Sequence, residues 1–230
     1  MIRFYDVEVY PNFFCITLVN ENGDINVFHW KDYIPIEGII ELGKLLKRET
    51  KYLIGYNNLA YDDIILNQVL ENYGRGVFTR TLYTTSKDII ESARKKEKDK
   101  DNKKSNDIGK GKLLFRLNTI RRVVKTVDVY KILRHDILKI GLKQCGINLQ
   151  WEDIVNPPIP FDKNINPVKH LDLILRYNLN DVLMTKAVFE RIRSSFDLRL
   201  SLSELYGIDF LNASDSKMAN MILDSYYAKG

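Results

Sequence analysis

The sequence predicts an α/β domain in which a mixed sheet opens with an antiparallel meander and then alternates with helices. Three observations predict it. The first thirty residues hold three β-rich runs divided by turn signals. After them, segments with helical apolar spacing alternate with short extended ones. A chain of 230 residues that is 45% hydrophobic and 28% charged fills a real core, so wholesale disorder is excluded and one domain, or one with an appendage, is expected.

The elements follow in order. Residues 2–9 and 13–19 read as strands on either side of Pro11-Asn12, and Glu21-Asn22-Gly23-Asp24 is a turn before a third strand over 25–30. Residues 36–46 carry Ile39, Ile40, Leu42, Leu45 and Leu46 at helical spacing. A short buried strand over 51–55 precedes a helix over 61–73, which stops at Gly74. Residues 79–85 and 113–127 read as extended. Between them, about 93–112 is a Lys/Asp/Asn/Gly-rich stretch too poor in apolar residues to order itself, expected as a disordered loop at a hairpin tip. A strand over 123–129 leads into a helix over 132–145 that contains Gly141. The proline-bearing segment 148–167 is a surface linker. Asn166-Pro167 supplies a cap and first-turn proline for a long helix to about Arg193. Helical patterns continue over 198–206 and 214–227.

The formal net charge is +5, but residues 92–112 hold nine Lys/Arg against four Asp/Glu, leaving the remainder neutral. The basic character therefore reads as one solvated segment rather than a globular face. Cys15 and Cys145 are far apart without CxxC spacing, which argues against zinc and a disulfide framework and suits a reducing cytoplasm. No apolar run approaches the ~18–20 residues of a membrane span, and the acidic start is unlike a secretion signal.

Three signals carry chemistry. Asp6 and Glu8 are two apart on a strand and so share a face. They are either a solvated acidic edge or a carboxylate pair that needs a cation between its charges. Asn58-Leu59-Ala60-Tyr61-Asp62 sets Asp62 in a first helical turn beyond a strand, where an acid also simply suits the helix dipole. Asp63 is a second acid of that plain kind. Tyr177 and Asp181 are four apart on one face of the long helix, where a lone Asp is more often exposed. Asp128, at a strand-to-helix passage, reads as a cap.

Taken in order, D-x-E on the first strand, N-x-x-Y-D at a strand-to-helix junction and Y-x-x-x-D in a late helix resemble the tyrosine subclass of DEDD 3′–5′ exonucleases. More closely, the chain is similar to the exonuclease domain of family B DNA polymerases of the phage, protein-primed-like branch, over about residues 1–217. That resemblance implies a ribonuclease H-like mixed β-sheet flanked by helices (the DnaQ-like exonuclease fold). It implies an exonuclease domain over residues 1–212, with 213–230 a C-terminal helix that begins or contacts a polymerase region. It also implies Asp6, Glu8, Asp62 and Asp181 as ligands of two divalent ions, Mg²⁺ or Mn²⁺, with Tyr177 orienting the attacking water. Asn58 and Tyr61 would contact the terminal nucleotide of a single-stranded DNA 3′ end. The implied partner is a DNA polymerase domain or subunit, and the implied setting is the cytoplasm of an infected bacterial cell. Hard oxygen ligands select such ions without the family's help.

Two departures stand out. Leu149-Gln150-Trp151-Glu152-Asp153 lacks the lysine such enzymes carry in that region, leaving Lys163 and Lys169 as candidates, and Val9 replaces a hydroxyl residue after Glu8. His170, two turns above Asp181, reads as a helix-surface residue. A free-standing exonuclease on RNA or DNA ends, or a catalytically inactive nucleic-acid-binding module, are the competing readings.

Overall fold

The computed structural model describes residues 1–101, 117–133 and 140–227. Its strands are β1 (Ile2–Tyr10), β2 (Phe13–Asn20), β3 (Ile25–Lys31), β4 (Tyr33–Ile34), β5 (Tyr52–Gly55), β6 (Val77–Phe78) and β7 (Lys125–Asp128). The helices are α1 (Ile36–Lys44), α2 (Asp62–Glu71), α3 (Thr79–Asp101), α4 (Asn118–Val123), α5 (Val129–Ile132), α6 (Leu142–Asn148), α7 (Pro167–Arg191), α8 (Arg193–Tyr206) and α9 (Asp215–Tyr227). Five strands form a mixed sheet in the order β3-β2-β1-β5-β7, flanked by helices. The first three are the antiparallel meander, and β5 and β7 join in parallel.

Strand β1 is central and buried on both faces. Its odd-numbered residues Tyr5, Val7 and Val9 enter a core with Ile39 and Leu42 of α1, Ile65 and Val69 of α2, and Leu82 of α3. Its even-numbered Ile2 and Phe4 enter a second core with Val182 and Phe189 of α7 and Phe196 of α8. The period of two therefore turns Asp6 and Glu8 toward α7.

Strand lengths set the next feature. The parallel pairing of β1 with β5 runs only from Ile2↔Tyr52 to Phe4↔Ile54. Beyond Phe4, β1 has no β5 partner, and the chain after β5 turns through a 3₁₀ segment at Asn58–Ala60 into α2. The start of α2 is thus delivered beside the free flank of β1.

Several expected boundaries differ. Residues 79–85 are helical rather than extended, and α3 carries the helix through Asp101, so 93–101 is not a loop. Leu82, Ser86 and Ile89 are buried at spacings of four and three, the stripe of a helix seated on the sheet. The Thr and Tyr residues that suggested a strand lost to this packing. The alternating charges that follow suit a solvated helix as well as a loop. The rest of the Lys-rich stretch, 102–112, lies outside the described residues. Within the expected extended run 113–127, residues 118–123 form α4. The helix expected over 132–145 is not continuous as read: Gly141 (φ −78°, ψ 159°) is the N-cap of α6, and residues 134–139 are outside the described set. The long helix ends at Arg191, and Ile192 (φ −113°) separates it from α8. Asn166 does cap α7, its side chain accepting from the Val168 N–H at 3.1 Å.

The Asn212 side chain ties the C-terminal segment to the edge of the sheet. Asn212 donates to the Thr126 carbonyl (2.8 Å) and accepts from the Asp128 N–H (2.8 Å), so its amide mimics one further residue of strand beside β7. Asn212→Ala leaves both backbone groups without their partner and is expected to cost about 1–3 kcal/mol. Urea unfolding monitored by circular dichroism checks this. An unchanged midpoint would show that the link is incidental.

Candidate active site

Asp6 and Glu8 of β1 and Asp181 of α7 offer carboxylate oxygens that all lie within 4.8 Å of one another. Strand alternation supplies the first two, and the helix face shared by Tyr177, Asn178 and Asp181 supplies the third. Asn178 donates to Asp6 Oδ2 at 2.7 Å and fixes that carboxylate against α7. Asp62, first residue of α2, accepts from the Val7 N–H at 3.4 Å, on the flank of β1 that β5 leaves unpaired. It lines the same cavity of about 510 Å³ as the three acids, with Tyr61, Tyr177 and Phe161 among the other walls.

The electrostatics follow from crowding. Burial first, then the charges of Asp62, Glu8 and Asp181, push the Asp6 carboxyl well above the usual range. Glu8 is raised by burial and by Asp181 and Asp62, with Lys143 opposing. Asp62 rises to about 8 through burial and the neighbouring Asp63 charge, against the pull of backbone N–H groups. Asp181 rises to about 6 by burial, offset by a hydrogen bond with Tyr177 and by Lys143. Burial and the Asp181 charge keep the Tyr177 hydroxyl protonated by raising its pKa.

The donor set fits a divalent cation. Its atoms are hard carboxylate oxygens, Asp181 Oδ1 is buried without a hydrogen-bond partner among the described residues, and like charges at this spacing are relieved by a cation between them. Asp6, Glu8 and Asp181 are the residues that would hold it, with Asp62 beside them.

The structure separates the other candidates. Tyr61 faces the cavity, its hydroxyl 2.7 Å from Ser86 Oγ of α3. Asn58 does not face it: the side chain is fully buried behind the cleft and donates to Asp63 at 3.0 Å, where the Tyr5 hydroxyl also donates. Asp63 is therefore a buried hub rather than an exposed dipole partner. Asp128 caps α5 by accepting from the Tyr130 N–H (3.0 Å) and holds the Asn57 N–H (2.7 Å). His170 accepts from the Asn166 N–H at 3.2 Å. Lys163 and Lys169 are exposed and line no wall of the cavity, and Lys163 pairs with Asp162.

The lysine that approaches the acids is Lys143, which motif reading passed over. Its ammonium stands 5.7 Å from the Tyr177 ring centroid and 3.2 Å from Asn156 Oδ1, and its charge opposes the raised pKa of both Glu8 and Asp181. The available signal was that Lys143 is the sole charged residue of α6. Arg94 and Ile89, on the helix that had been read as extended chain and loop, also line the cavity.

A search of protein-family models finds no match for this chain, and a search of curated proteins finds none. Among solved structures, the chain is similar to the family B DNA polymerase of the hyperthermophilic archaeon Pyrobaculum calidifontis. The TM-score is 0.56 at 16% identity, over 99% of this chain and 29% of that one. That likeness establishes a shared fold. The chain spans less than a third of the polymerase it resembles.

The raised carboxyls predict a pH dependence without metal. Below about pH 4 Asp62 is protonated both folded and unfolded. Above that, the unfolded chain ionises while the folded carboxyl keeps its proton up to about 8, so folding takes up a proton and stability falls as pH rises through that window. Asp62→Asn keeps the acceptor for Val7 but removes the charge. In EDTA its melting temperature is expected to exceed that of the wild type by a margin that widens from about pH 5 to about pH 8.5. Scanning fluorimetry at matched ionic strength checks this, and a constant margin would contradict it.

Proposed function

We propose that this chain is a metal-dependent 3′–5′ exonuclease domain of ribonuclease H-like fold, which removes nucleoside monophosphates from single-stranded DNA 3′ ends as the proofreading module of a family B DNA polymerase. The observation that carries the reading is the convergence of Asp6, Glu8 and Asp181 from elements some 175 positions apart in the chain, in one cavity with Asp62 and Tyr177. The motif order in the sequence and the fold shared with part of a family B polymerase support the same reading.

Two divalent ions, Mg²⁺ or Mn²⁺, would lower the pKa of a water and stabilise both the attacking and the leaving oxygens of the phosphodiester. The chain's own groups do the rest. Asp6, Glu8, Asp62 and Asp181 would be the ligands. The Tyr177 hydroxyl, kept protonated, orients the attacking water. Lys143 offers a cation for charge that develops on the phosphate, the role for which the sequence had offered Lys163 and Lys169. Tyr61, on the wall of the cavity, would lie against the terminal nucleotide.

Asp6→Ala with Glu8→Ala is expected to abolish Mg²⁺-dependent release of mononucleotides from a 5′-labelled single-stranded oligonucleotide, while binding of that strand stays detectable. Undiminished digestion by the double variant would defeat the assignment. Lys143→Ala is expected to lower kcat roughly a hundredfold with little change in KM, as for the loss of one electrostatic donor to the transition state. Equal rates on matched RNA and DNA strands would count against proofreading.

A further inference from the structure

Gly43 sits in α1, which runs without a break into a π-helical turn over Leu45–Glu49. A glycine inside a helix is destabilising relative to alanine. Several other glycines of the chain meet a steric or backbone requirement. A Cβ on Gly38 would stand 2.6 Å from the Trp30 ring, and one on Gly146 would stand 2.6 Å from Met184 Sδ. Gly23, Gly76 and Gly207 take positive φ. Gly43 has neither reason: its φ is not positive, and the nearest atom to an added Cβ is Leu70 Cδ2 at 3.9 Å, an ordinary contact. Nothing in the described fold requires that this position be bare.

The space it leaves open is a groove of about 630 Å³ between α1, α2 and α4. Ile40, Leu70, Tyr73 and Val123 give it apolar walls, and Tyr73 is 56% exposed. Its charged lining residues are Lys44, Lys47 and Arg48, all exposed and, among the described residues, in no ion pair. Spaced at i, i+3 and i+4, they stand on one side of the turn. The adjacent acid Glu49 is drawn away to Arg3 at 3.2 Å. The chain's neutral remainder thus conceals a local concentration of positive charge. None of the groove's lining residues lines the acidic cavity.

We infer that this groove is a docking site for a short acidic segment of a partner protein, which seats an aliphatic or aromatic side chain over Gly43 and sets its carboxylates against Lys44, Lys47 and Arg48. The volume suits one or two large side chains. The apolar walls distinguish the site from a phosphate track, which needs cations along its length rather than a greasy floor. The inference does not depend on the nuclease reading.

The test is selection from a random 12-residue peptide library displayed on phage, performed on the full chain with counter-selection on Gly43→Leu. That variant fills the groove with a better helix former. Gly43→Ala is the folding control, with a melting temperature expected about 2 °C above wild type. Selected peptides are expected to combine Glu or Asp with Leu, Phe or Trp. By fluorescence anisotropy they should lose about tenfold or more in affinity both to Gly43→Leu and to Lys44→Glu/Lys47→Glu/Arg48→Glu. Mononucleotide release by Gly43→Leu should match wild type, so a failed docking result and a failed nuclease result are separable. The inference is overturned if no peptide distinguishes wild type from Gly43→Leu, or if the selected peptides are neutral or basic. It is equally overturned if a 20-nucleotide single strand or a peptide of residues 102–116 displaces them with Gly43→Leu unaffected.

Discussion

Repulsion among carboxylates is the constraint around which this chain is built. Asp6 and Glu8 occupy the buried central strand, where ionised groups are most expensive, and α7 brings Asp181 against them. Most of the fold answers to that. Asn178 anchors Asp6, backbone N–H groups hold Asp62, and Lys143 supplies partial compensation from α6. These contacts lower the electrostatic cost without cancelling it, because the four acids outnumber the cations near them among the described residues, Lys143 and Arg94. An arrangement that keeps such a deficit is poised for cations from solution, and stability has been ceded at the place where chemistry would occur.

Residues whose periodicity and chemistry coincide were legible in the sequence. The meander, the turn of β1's even-numbered residues toward one face, and the 177–181 stripe of α7 follow from spacing alone. The gathering of Asp6, Glu8, Asp62 and Asp181 in one cavity was expected only through the family resemblance that their motif order carries, and the cavity holds all four. Less legible was anything decided by tertiary packing. The start of α3 is rich in Thr and Tyr and resembles a strand until Leu82, Ser86 and Ile89 are seen to be buried together. Lys143 carries no motif that was sought, and its meaning comes from which helix lies opposite. Asn58 was read as a substrate contact because it belongs to a motif, yet its amide is turned inward to Asp63. Summed charge misled as well, since a neutral total says nothing about where on the surface the signs gather.

The pairing of long β1 with short β5 decides what binds the flank of β1. Were β5 three residues longer, Val7 would bond to it and Asp62 would lose its acceptor role there. The junction 56–61 is also fixed from below, by Asp128 on the Asn57 N–H and by Asp63 on Asn58. Two buried acids that do not line the cavity thereby hold the turn that presents one that does. Their placement explains how a segment without regular strand or α-helix can deliver a carboxylate reproducibly.

Asn212 has a consequence for the sheet as a whole. The strand order leaves β7 at one margin and β3 at the other. At the β7 margin, the Asn212 amide already fills the Thr126 and Asp128 bonding positions, so a foreign strand must first evict it. Among the described residues, the β3 margin has no such plug on its backbone, and it shows Ile25 and Val27 to solvent. Self-association by edge-to-edge zippering, if the chain is crowded or partly unfolded, is thereby channelled to one side of the molecule.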